Sequence, residues 1–331
     1  MFSSPGIPKT YSTPVETRIS MPHPPRYSRK PTHNSRDRCW GAEGARFAGY
    51  IGPGRATPTL GRVQAPRLVA TDVDGTLLDP DERVSPRSVA VIGRLVAAGV
   101  GFVLVTGRPP RWIPPVVAQL DMAGIAVCAN GAVLYDTAAD AVVWSCTLDP
   151  ATLTELAVAA FDALPGCGLA VERVCARAFD AAPALVAEPN FRSVWPATDN
   201  GLAPRAELLA EPAVKLLISC PELSSDAMVA ALAPMVGDAA GLSFSTPRGL
   251  VEAAPPGITK ATGLAEVAHR LGLGAADVVA FGDMPNDLAM LRWAGHGVAM
   301  GNAHPALFDI ADEVTASNGE DGLALILERW F

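Results

Sequence analysis

Two periodicities alternate along the chain from Arg67 onward. LVATD, beginning at Leu68, and GFVLVTG (101–107) are apolar runs closed by polar residues, the pattern of short strands buried on both faces. Between them SPRSVAVIGRLVAAG (85–99) reads as a helix. Ser85 can cap it, Pro86 suits its first turn, and Gly99 follows its end. Together these predict a β-α-β unit with a parallel pair. More strands are expected at 125–129, 132–136 and 141–146.

The rhythm changes over about 148–250. A helix over 153–164 places Leu153, Leu156, Ala157, Ala160, Phe161 and Leu164 on one face. Strands are expected at 168–173, 213–219 and 241–246, and a second helix at 224–235. Residues 181–212 contain prolines and are only weakly periodic. After about 251 the alternation returns: helix 259–271, strand 277–283, helix 286–293, strand 296–300 and a last helix over 322–330. The expected architecture is α/β, a Rossmann-like parallel-sheet core split into 65–147 and 251–331, with a small α+β domain inserted at 148–250.

Residues 1–64 are rich in Pro, Ser, Arg and Gly and read as a disordered tail. A targeting segment and an unused upstream start are the other readings. The tail carries ten Lys or Arg against three Asp or Glu, a net charge of +7, so the rest carries −15 of the total −8. A body that acidic lacks the basic surface that nucleic acids require. No apolar run approaches the roughly 20 residues that cross a bilayer. The six cysteines form no C-x-x-C pair and read as reduced thiols of a cytoplasmic protein, monomer or homodimer. Zinc-site spacings and a G-x-S-x-G elbow are absent.

The candidate chemistry lies in four polar islands, three of them at predicted strand ends, where open parallel sheets bind ligands. Asp72 and Asp74 end the first strand, Thr106-Gly107-Arg108 the second, and Asp283, Asn286 and Asp287, in GDMPND, a third. Lys260 opens a helix; it and Lys215 are the only lysines outside the tail. Carboxylates gathered in one place repel each other unless a divalent cation neutralises them, and carboxylates, waters and a phosphate oxygen suit Mg²⁺. Asp72 could then attack phosphorus. Thr106 offers a hydroxyl and Lys260 a charge to the phosphoryl group, with backbone N–H groups near Gly75 and Gly107 close by. Asp74 is placed to protonate the leaving oxygen and later to activate water. Arg108 could meet substrate or a core carboxylate. Lys215 is expected to face solvent, Glu172 and Arg173 to be incidental, and Asn130, with Asn318 more weakly, to order loops near the site.

DVDGTLL, TGR, Lys260 and GDMPND resemble the four motifs of the haloacid dehalogenase-like (HAD) phosphohydrolases over about 65–331. ANGA (129–132), the insert, GVAMGNA (297–303) and SNGEDG (317–322) resemble its Cof-type group, which has a large α+β cap. The resemblance implies that Asp72 is nucleophile and metal ligand. It makes Asp74 the general acid/base, binding metal through its backbone carbonyl. Asp283 would ligate the metal, Asp287 support that site, and Asn286 help hold the phosphate region. The implied activity is Mg²⁺-dependent hydrolysis of small phosphomonoesters, sugar phosphates foremost, through an aspartyl-phosphate. A sugar phosphomutase and a non-catalytic sensor of a phosphorylated metabolite are the alternatives.

Overall fold

The computed structural model describes residues 65–180, 184–193 and 201–331. The tail expected at 1–64 lies outside the described residues. A five-stranded parallel sheet forms the base, in the spatial order Glu313–Val314, His296–Ala299, Val278–Gly282, Leu68–Thr71 and Gly101–Leu104. Residues Leu68 and Thr71 pair with Val278 and Phe281, which brings the ends of the first and third predicted strands side by side.

Period-2 alternation divides these strands between two cores. Val69, Val279 and Phe281 pack with Val91, Ile92 and Leu95 of helix Pro86–Ala97 and with Leu323, Ile326 and Leu327 of helix Gly322–Leu327. Leu68, Ala70, Val278 and Ala280 face the other way, onto Leu264, Val267 and Ala268 of helix Lys260–Arg270 and Met290 and Leu291 of helix Leu288–Trp293. Burial on both faces is why these strands read as unbroken apolar runs.

An antiparallel sheet of Ile125–Cys128, Val133–Asp136 and Ala141–Ser145 continues from the base through a parallel bridge, Val105 to Val127. The inserted region forms a separate six-stranded sheet in the order Gly241–Ser243, Arg248–Ala254, Lys215–Ser224, Gly168–Glu172, Leu185–Ala187, Gly201–Leu202. Helices Pro150–Ala163 and Ser225–Val236 cover one face, through Leu153, Leu156, Met228 and Leu232 on Leu169, Leu216, Ile218 and Val251.

Several elements differ from expectation. Asp149 caps the first of these two helices by accepting from Thr152 N at 2.8 Å, so it starts at Pro150, three residues early. Strand Arg248–Ala254 was not anticipated; it pairs with Lys215–Ser224, so a division at 250 cuts through it. Among the described residues of 181–212 there are two short strands and helix Arg205–Leu208. Of the described cysteines, Cys128, Cys167, Cys175 and Cys220 are free, as expected. Among the described residues no helix is long and apolar enough to cross a membrane.

Candidate active site

The first strand delivers Asp72 to the rim of the base sheet, and the next residues wrap back on themselves. Gly75 makes that turn possible. Its φ is +75°, and a Cβ there would lie 2.2 Å from Asp283 Oδ2, so only glycine lets the turn rest against Asp283. Thr76 Oγ1 then donates to Asp283 Oδ1 at 3.2 Å. Asn302 Nδ2 donates to Gly75 O at 2.8 Å, and Asn318 donates from its backbone to Asn302 Oδ1 at 3.0 Å and from its side chain to Leu78 O at 2.7 Å. The segments around 302 and 318 therefore brace the first loop.

Lys260 is the first residue of its helix, whose start is fixed by Thr259: its hydroxyl accepts from Thr262 N, and its own N–H donates to Thr262 Oγ1. That helix end docks on the 129–131 turn, where Gly131 (φ +98°) leaves no room for a Cβ beside Thr259 O. The fully buried ammonium lies 2.6 Å from Asp72 Oδ1 and 2.6 Å from Asp287 Oδ1. Asp287 Oδ2 accepts the backbone N–H groups of Asp283 and Met284, at 3.1 and 3.0 Å, closing the GDMPND turn.

Asp72, Asp283 and Asp287 thus converge, each offering an oxygen within 4.8 Å of the others. Burial drives the Asp72 carboxyl well above its usual range; Lys260 opposes this, while Asp287, Asp283 and Asp74 add to it. Burial, and then repulsion from Asp287, pushes Asp283 up to about 7, against Lys260 and Thr76. Burial alone would lower Lys260, but Asp287 and Asp72 more than offset it, and the ammonium is held above its ordinary value. Three buried carboxylates face one ammonium. The set is short of positive charge and made of hard oxygen donors, which fits a divalent cation such as Mg²⁺.

A cleft of about 430 Å³ opens in front of this cluster. Asp72, Asp74, Gly107 and Asn286 line it, with Thr106, Lys260 and Asp287 fully buried behind. Thr106 Oγ1 accepts from Arg108 N at 3.0 Å. Arg108 grips both oxygens of Asp74, at 2.9 and 2.5 Å, an exposed carboxylate of the cleft. Asp72, Asp74, Gly107 and Asn286 thus line one cleft, Thr106, Lys260 and Asp287 lie buried behind it, and Asp283, with Gly75 against it, joins them through the acidic cluster.

The opposite wall comes from the uncovered face of the inserted sheet. Lys215, expected to face solvent, is buried there instead. Its Nζ donates to Glu252 Oε2 at 2.5 Å and to Gly107 O at 2.7 Å. The alternation along its strand does set it opposite Leu216 and Ile218, but that face covers the cleft. Glu172 is likewise buried at the wall, ion-paired with Arg111. Arg173 is incidental to the cleft: it donates to carbonyls of Leu208 and Pro212. Asn130 does order its loop, and it also contacts Asn286. Glu252 and Arg111 were missed altogether.

Phosphoryl transfer is a chemistry that clustered carboxylates and a buried lysine can serve. The family model of the haloacid dehalogenase-like hydrolases matches residues 69–327. The chain belongs to that family, in its Cof-type group, and is a phosphatase. It is 31% identical over 281 residues to the HMP-PP phosphatase of Serratia proteamaculans, covering 80% of this chain and 95% of that one. It is 29% identical over 269 residues to the 5-amino-6-(5-phospho-D-ribitylamino)uracil phosphatase YitU of Bacillus subtilis, covering 80% and 98%. In fold it is similar to a HAD subclass IIB sugar phosphatase, with a TM-score of 0.66 at 19% identity over 80% of this chain and 98% of that one.

Proposed function

We propose that the protein hydrolyses small phosphomonoesters, sugar phosphates among them, in a Mg²⁺-dependent reaction through an aspartyl-phosphate on Asp72. The observation that carries this reading is the placement of Asp72. It ends its strand facing the cleft, in contact with Lys260 and within a ligand's width of Asp283 and Asp287.

Asp72, Asp283 and Asp287 would hold the cation, which supplies charge neutralisation between an anionic ester and an anionic nucleophile. Asp72 forms a bond to phosphorus as the bond to the leaving oxygen breaks, and Asp74 gives that oxygen a proton. Water then attacks phosphorus, Asp74 takes its proton, and the bond to Asp72 breaks to release inorganic phosphate. Arg108 engages both Asp74 oxygens, and each keeps a second lone pair on which a proton can be carried. Lys260 holds the Asp72 carboxylate in place and counters its charge. The inserted sheet acts as the cap, walling the cleft from water and selecting the leaving group.

Incubation of the protein with a panel of phosphorylated metabolites and Mg²⁺, reading free phosphate, tests the reading. Phosphate release that stops on adding EDTA and returns with excess Mg²⁺ is expected. Binding of these esters with no release from any of them would refute it.

A further inference from the structure

The cleft is rich in charge, yet its cations are already matched. Its lining holds three cationic side chains against five carboxylates. Arg108 is engaged with both oxygens of Asp74. Arg111, from the turn Pro110–Trp112 of the base, crosses to Glu172 of the inserted sheet. Its two terminal nitrogens meet the two carboxylate oxygens, and both residues are buried. Lys215 donates to Glu252 Oε2 and to Gly107 O, and this pair too is buried. Glu172 and Lys215 stand directly opposite each other on neighbouring antiparallel strands, and Glu252 lies one strand further on, opposite Leu217. Arg111, Glu172, Lys215 and Glu252 therefore form a row of alternating sign that leaves this wall neutral.

A matched cation is poorly available to a ligand. An anion on the leaving group would have to part Arg111 from Glu172, or Lys215 from Glu252. Either exchange strands a carboxylate in a buried wall, which costs more than the new contact returns. The rest of the lining includes Trp112, Leu185 and Leu217, apolar side chains that cannot solvate a second anion. Lys260 is no alternative, because it is fully buried behind the cleft, between Asp72 and Asp287. Uncharged hydroxyl groups meet no such obstacle. They can donate to carboxylate oxygens and to Ser245 Oγ of the same wall without displacing either cation.

Resting on the phosphatase reading above, we infer that the cleft takes phosphomonoesters whose leaving group bears no negative charge and rejects those whose leaving group carries a second anion. Glu172 and Glu252 are the positioning residues that impose this, by holding Arg111 and Lys215. The substrate class narrows accordingly to monophosphates of neutral polyols, sugars and rings. Bisphosphates and phosphorylated acids fall outside it.

The test uses two esters of one shape, glucitol 6-phosphate and 6-phosphogluconate, which differ only in a CH₂OH or a carboxylate at the end far from phosphorus. Each is read as a competitive inhibitor of an ester that the protein hydrolyses in the metabolite panel, so neither need turn over. Wild type should bind glucitol 6-phosphate at least about 10-fold more tightly, because an anion without a counter-charge is strongly disfavoured in such a wall. Glu172→Gln and Glu252→Gln keep the shape and leave one cation unmatched. Each should cut that preference at least about 5-fold, by tightening 6-phosphogluconate. Lys215→Met with Glu252→Met removes one charge of each sign and should hold the preference within about 3-fold of wild type. A merely structural role for the glutamates would weaken both esters alike and leave the preference unmoved, which would overturn the inference. So would a wild type that binds both esters equally or neither, or a double variant that gains 6-phosphogluconate as Glu252→Gln does. If one single variant fails to fold, the other and the wild-type preference decide. A protein that hydrolyses no ester in the panel sinks the phosphatase reading instead.

Discussion

Lys260→Met removes a cation that touches two of the clustered carboxylates. Its ammonium sits 2.6 Å from oxygens of both Asp72 and Asp287. At an effective dielectric of about 20, each contact is worth roughly 6 kcal/mol of attraction before desolvation. Burying the ammonium offsets most of that. Removing one member of a buried pair nonetheless costs about 3–5 kcal/mol, because the partner is left as an uncompensated charge. Here two carboxylates lose the same partner, so the upper end, about 5 kcal/mol, applies. A folded region of this size loses about 2–4 °C per kcal/mol, which predicts a Tm lower by about 10–20 °C in EDTA at pH 8. Saturating Mg²⁺ should recover part of this, since a divalent ion bound only by the folded state adds the missing charge. Thermal melts of wild type and variant, with and without Mg²⁺, read both effects. A variant within 2 °C of wild type in EDTA would show that Lys260 does not balance the cluster, and the electrostatic account would fail.

Two further predictions concern the same cluster. Gly75→Ala must hold a φ of +75°, at roughly 1–2 kcal/mol for an L residue, and push Asp283 aside from a 2.2 Å overlap. The expected result is a folded protein that needs at least 10-fold more Mg²⁺ for half-maximal rate; an unchanged Mg²⁺ titration would refute it. The raised Asp283 carboxyl makes the second prediction. Its pKa of about 7 in the folded protein lies above its unfolded value of about 3.9, so the folded state holds the extra proton between those values. This group's contribution to stability of the metal-free protein is therefore greatest at acid pH and declines as pH rises from about 4 to about 7. The Tm gain from Mg²⁺ should widen between pH 6 and pH 8, and a gain independent of pH would contradict it.

The motifs made most of the site legible. Carboxylates at the ends of apolar runs have few bland uses, and parallel strand order alone brings such ends together. Asp72, Lys260 and Asp287 could thus be grouped although Lys260 is 188 residues from Asp72. The opposite wall was not legible. Alternation along the strand at 215–219 gives the face on which Lys215 lies, but not what covers that face. Glu252 gave no signal, because its burial depends on partners from Lys215, Ser245 and Asn130 that no local pattern links. Its strand, RGLVEAA, carries a glycine and a charge where a buried strand ordinarily has neither, so it went unread. The elements within 181–212 are two to four residues long, shorter than the windows in which periodicity shows. The early start of helix Pro150–Ala163 was available in the Asp-Pro pair at 149–150, a cap followed by a residue suited to the first turn.

The most direct test is to catch the phosphorylated enzyme. Protein mixed with a ³²P-labelled ester that it hydrolyses, in the presence of Mg²⁺, is quenched in acid within one turnover and digested. The label should be found as an acyl phosphate on the peptide carrying Asp72, and Asp72→Asn should abolish both label and turnover. Steady turnover of that ester by the Asp72→Asn protein, or label on any other residue, would contradict the account.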